Sequence, residues 1–84
     1  MMADVADVPE DLTETQWSVL RYMITFLERE HRMPTYAELS EHFEWASPNS
    51  ALTHVRTLEA RGYLNRAGRH LRFTRHVVKV APAA

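Results

Sequence analysis

Cysteine is absent from the 84 residues. That excludes disulfides and thiolate metal sites, and a reducing compartment is the natural expectation. Glycine occurs only twice, too rarely for a glycine-rich phosphate loop. No apolar run approaches the roughly 20 residues that cross a bilayer, and no charged-then-apolar leader opens the chain. A membrane partner is therefore not expected, and a cytoplasmic location is. The five histidines, His31, His42, His54, His70 and His76, never fall at the i, i+4 spacing of a helical metal pair. No carboxylate cluster or nucleophile motif accompanies them. An enzyme, a metal, a cofactor and a small-molecule ligand are all unexpected. A chain of this length has room for one modest core.

What charge there is lies unevenly. The formal net charge is −1. Residues 1–14 carry Asp4, Asp7, Glu10, Asp11 and Glu14 with no lysine or arginine. Residues 45–84 carry Arg56, Arg61, Arg66, Arg69, Arg72, Arg75 and Lys79 against Glu59 alone. The first segment has a net charge of −5 and the second +6. Such asymmetry places a positive field over one end of a fold, as a nucleic-acid binder needs.

Residues 1–11 read as an acidic flexible arm, 12–80 as the folded domain and 81–84 as a disordered tail. Thr13-Glu14-Thr15-Gln16 matches a capping box and starts a first helix that runs to about 29–31. Thr35-Tyr36-Ala37-Glu38 is a second capping box; its helix ends near 42–44. Ser47 is a good N-cap for a third helix and Pro48 suits its first position. Gly62 fits just past the end of that helix. Ala51, Val55 and Leu58 make its apolar stripe, which leaves Asn49, Ser50, Thr53, Arg56 and Thr57 facing outward. A DNA-recognition helix needs this division.

After Gly62 the period changes to two. Tyr63-Leu64-Asn65-Arg66 and Leu71-Arg72-Phe73-Thr74 read as strands, joined by a loop over 67–70. The expected fold class is α+β, a winged helix-turn-helix of three helices and a β-hairpin wing. The first helix carries more apolar residues than one stripe requires. Trp17 and Ile24, seven apart, fall on a second strip, which is either core or an exposed contact surface. Val77-Val78-Lys79-Val80 can extend the hairpin or pair edge to edge with a second copy. Trp17, Ile24 and Val78 are thus the candidate dimer or partner contacts.

From Leu12 to about Phe73 the chain resembles the N-terminal DNA-binding domain of the LexA repressor family. The markers are Leu12-Thr13 and Gln16, Met33-Pro34-Thr35 with Ala37-Glu38-Leu39, Ser47-Pro48-Asn49, and Leu58 with Arg61-Gly62-Tyr63-Leu64. The resemblance implies a third helix lying in the major groove of operator DNA. Positions matching the family's base contacts are Ser47, Asn49, Ser50, Leu52 and Thr53. Leu52 and Thr53 stand where the repressors can carry acidic residues, so no operator sequence is carried over. Glu44 replaces a common glycine, and a differently shaped turn is expected there. LexA repressors continue into a self-cleaving peptidase domain, built on a Ser/Lys dyad, that also dimerises them, and no such domain is expected within these 84 residues. Ala67-Gly68, although similar to the family's scissile pair, reads as a turn.

The expected function is sequence-specific binding of double-stranded DNA by a repressor-like transcriptional regulator. The third helix, 47–61, would enter the major groove and the wing, 63–74, would follow the backbone. Asn49 can bond adenine N6 and N7 together. Thr35, Arg56, Arg66, Arg69 and Arg72 are candidate phosphate or minor-groove contacts. The alternative is a winged helix used as a protein-interaction module, binding a host protein through the acidic arm or the Trp17 strip.

Overall fold

The computed structural model describes residues 8–68 and 70–74. Its first helix, α1, spans Glu14–Glu30. The reciprocal cap expected at Thr13 is present. The Thr13 hydroxyl accepts from the Gln16 N–H at 3.1 Å, and the Gln16 side chain accepts from the Thr13 N–H at 3.0 Å. Helix α2, Tyr36–His42, starts on the same device at Thr35 and Glu38. Helix α3, Pro48–Ala60, starts where Ser47 accepts from the Asn49 N–H at 3.3 Å.

The helix ends explain the turns. The Gly62 N–H bonds the Glu59 carbonyl and the Tyr63 N–H bonds that of Leu58, with Gly62 at φ 88°. This is the paired Schellman closure, which requires a left-handed residue. Helix α2 closes in the same way: the Glu44 N–H bonds the Glu41 carbonyl and the Trp45 N–H bonds that of Ser40. Here the left-handed residue is Glu44 itself, at φ 58°. The expected change of turn shape is not found. Glu44 adopts the backbone that glycine favours, because the six-residue closure dictates it. Ser40, buried, donates its hydroxyl to the Ser47 carbonyl at 3.0 Å and ties the end of α2 to the cap of α3.

The wing is an antiparallel hairpin of β1, Leu64–Ala67, and β2, His70–Phe73. The register pairs Leu64 with Phe73 and Ala67 with His70. Ala67 and His70, both placed in the loop by the expected 67–70, are thus strand residues. Gly68, directly after β1, has φ 63°, in the left-handed region that glycine enters without strain. The architecture is the expected winged helix-turn-helix.

One core joins all the elements: Val19, Leu20 and Met23 of α1, Leu39 of α2, the Ala51, Val55 and Leu58 stripe of α3, and Tyr63 and Leu64 at the wing base. Trp17 belongs to it as well, only 3% exposed, which corrects its reading as a contact surface. Ile24 is half-buried and packs against the same cluster. The segment ahead of α1 adds apolar residues to this core, Val8 among them, which composition had put in the arm. Val8 packs on this cluster, Leu12 is part of it, and the Leu12 N–H turns back to the Pro9 carbonyl. The Tyr63 hydroxyl donates to Asp11 at 2.7 Å and holds that segment down. Val78 lies outside the described residues.

Candidate nucleic-acid interface

The apolar stripe of α3 is fully buried, and the opposite side forms a row of its own. Asn49, Thr53 and Arg56, at i, i+4 and i+7, are all exposed. Leu52 and Thr57 flank the row, half-buried, and Ser50 lies further round toward the core side. Ser47 is half-buried at the helix start, where its first duty is the cap. The cap takes only the backbone N–H of Asn49, so the carboxamide is left for an outside partner. The Thr53 hydroxyl donates to the Asn49 carbonyl at 3.0 Å, and that of Thr57 to the Thr53 carbonyl at 3.1 Å. Toward a base, Thr53 therefore offers an oxygen lone pair and a methyl group, not a proton.

The side of α3 next to the stripe is braced by rings. His54 stacks on Trp45 at 4.9 Å and Trp45 on Phe43 at 4.9 Å. Phe43 meets Tyr22 edge-on, and His42 stacks on Tyr22 at 3.8 Å. This ladder links α1, the α2–α3 turn and α3. Only the local apolar character of 43 and 45 hinted at it, since its members are scattered in sequence.

Thr35 is exposed at the start of α2, but its N–H and hydroxyl oxygen are engaged by Glu38. Glu38 also takes both terminal nitrogens of Arg32, each at 2.8 Å. The Arg32 guanidinium, and then the Thr35 N–H, hold this carboxyl at about 2. Burial of Tyr63, and then its bond to Asp11, push its hydroxyl up to about 12.

The wing arginines divide by strand parity. Cross-strand partners share a face, so Asn65 and Arg72 go together on one side, and Arg66 and Leu71 on the other. Leu64, two residues before Arg66, is buried against the helices. Arg72 is exposed on the outer face. Arg66 turns inward, donating to Glu59 at 2.8 Å and to the Tyr36 hydroxyl at 3.1 Å. Its pKa is raised by these bonds, Glu59 first. Arg69 lies outside the described residues. An open cleft of about 790 Å³ separates the wing from the turn after α1, with Thr35, Tyr36, Arg66 and Arg72 among its walls. Among the described residues no three His, Cys, Asp or Glu side chains gather to hold a metal ion, and no helix is long and apolar enough to cross a membrane.

The sequence profile of the LexA DNA binding domain matches residues 9–72, from the segment ahead of α1 into β2. The chain belongs to the LexA DNA-binding-domain family. The LexA repressor of Myxococcus xanthus is 39% identical over 57 residues, which cover 68% of this chain and 26% of that repressor. The LexA repressor of Azoarcus sp. is 43% identical over 53 residues, 63% of this chain and 26% of the relative. That of Petrotoga mobilis is 33% identical over 57 residues, 68% and 28%. The chain thus spans about a quarter of the length of the curated relatives it matches. What is shared is the DNA-binding domain of a transcription repressor family. The LexA-type match runs through all three helices and most of the wing, the parts that present the exposed row on α3.

Proposed function

We propose that this LexA-type domain is a sequence-specific binder of double-stranded DNA acting in repressor-like regulation. In this reading α3 lies in the major groove and the wing lies on the backbone beside it. The observation that carries it is the exposed row Asn49, Thr53 and Arg56, set opposite a fully buried stripe on a helix fixed at both ends. Asn49 reads adenine through its carboxamide. Thr53 meets a thymine methyl or accepts from a base amino group. Ser50 and Leu52 flank them, Leu52 against a thymine methyl. Arg56, further along the helix, takes phosphate, as do Ser47 and Thr35 at helix starts. Arg69 and Arg72 reach from the wing. Arg66 stands apart, because Glu59 and Tyr36 already hold it.

The interaction-module alternative, through the acidic arm or the Trp17 strip, keeps only the arm as a basis, since Trp17 is buried. A second copy on an adjoining half-site would add affinity. Selection of bound sequences from a random duplex pool tests the reading. A single recovered motif supports it, and a pool no different from the input overturns it.

A further inference from the structure

Arg66 is the one described wing arginine that faces the helices, and it is bonded to two of them at once. Tyr36 belongs to the first turn of α2 and Glu59 to the last turn of α3. Their oxygens lie 3.1 Å and 2.8 Å from the same guanidinium nitrogen. Beyond Leu64 the strand β1 is exposed along its whole length, and the open cleft runs between the hairpin and the turn after α1. Leu71 and Phe73 pack on the core from β2, but packing of this kind leaves the tilt of a short hairpin loosely set. A guanidinium nitrogen that donates one hydrogen to each of two acceptors on different helices sets it more closely.

We propose that Arg66 is a strut rather than a DNA contact, and that Glu59 and Tyr36 are positioning residues which, through Arg66, fix the angle of the wing relative to α3. The wing then reaches the backbone at a set distance from the helix in the groove. This rests on the DNA-binding reading above. It runs against the simplest electrostatic expectation, in which every wing arginine serves phosphate.

The two roles of Arg66 predict opposite signs for a change at Glu59. If Arg66 were a phosphate contact, Glu59→Gln would free it and remove a repelling carboxylate. Binding would tighten, and the dependence of log K on log salt would steepen by about 0.9, one phosphate's worth. If Arg66 is a strut, Glu59→Gln and Tyr36→Phe each weaken binding to a mixed-sequence duplex. About two- to fivefold is expected, the scale of one exposed ion pair.

The experiment measures that binding for the full chain and its variants, alongside ¹⁵N relaxation of the hairpin amides without DNA. In the free chain, Glu59→Gln and Tyr36→Phe raise the mobility of 64–67 and 70–73 while α3 is unchanged. The exchanged pair Glu59→Arg with Arg66→Glu restores hairpin order and most of the affinity, which a phosphate contact at position 66 would not allow. Tighter binding of Glu59→Gln, or hairpin amides unmoved in both single variants, overturns the strut. Loosened amides in a chain that binds no duplex would leave the strut standing and remove the DNA reading.

Discussion

At Glu44 a residue with a side chain occupies the left-handed backbone that ends α2. That conformation costs a non-glycine residue about 1 kcal/mol or more. Glu44→Gly is therefore expected to raise stability by about 0.5–1 kcal/mol, the gain tempered by glycine's freedom when unfolded, as read from urea midpoints. Gly62 is the converse case. A Cβ there meets nothing within 4 Å, yet φ is 88°, so Gly62→Ala is expected to destabilise by about 1 kcal/mol from backbone alone. Glu38 carries a pH dependence. Its value of about 2 in the fold lies below the ordinary 4.5. For a depressed carboxyl the contribution is complete above the ordinary value and is lost as pH falls through the folded one. Between pH 4.5 and 2 the thermal midpoint of the wild-type chain should fall more steeply than that of Glu38→Gln.

Among the elements, the helices were the most legible part. Thr13 with Gln16, Thr35 with Glu38, and Ser47 with Pro48 are short-range signals, and each cap formed at the residue expected. The stripe Ala51, Val55, Leu58 was equally plain, and all three have no exposure. Leu58→Ala is expected to cost about 2–5 kcal/mol in denaturant unfolding, since that side chain is fully buried in the core. The wing was legible as a hairpin but shifted by one residue. Apolar alternation locates a strand better than it locates the last paired residue. What sequence did not reveal was long-range: the inward turn of Arg66, the ring ladder through Trp45 and His54, and the packing of Val8 on the core. Parity with Leu64 was the available signal for Arg66. Its partners, 30 and 7 residues away, had none.

Over the whole molecule, a formal charge of −1 conceals an uneven distribution along the chain, −5 over residues 1–14 and +6 over 45–84. Arg29, Arg32 and Arg66 each have a carboxylate partner, Glu30, Glu38 and Glu59 in turn. Arg56 and Arg72 are exposed, on the sides that the proposed binding mode turns to DNA. With about four to six phosphates neutralised, log K is expected to fall with log salt at a slope near −4 to −5. The most direct test of the account compares Asn49→Ala with the wild-type chain on a selected duplex and on a mixed-sequence one at fixed salt. Loss of a bidentate base contact predicts about a tenfold or greater loss on the selected duplex, relaxed choice at one base pair, and nearly unchanged binding to the mixed sequence. Equal affinity of both proteins for the selected duplex, with the same base preference at every position, would contradict it.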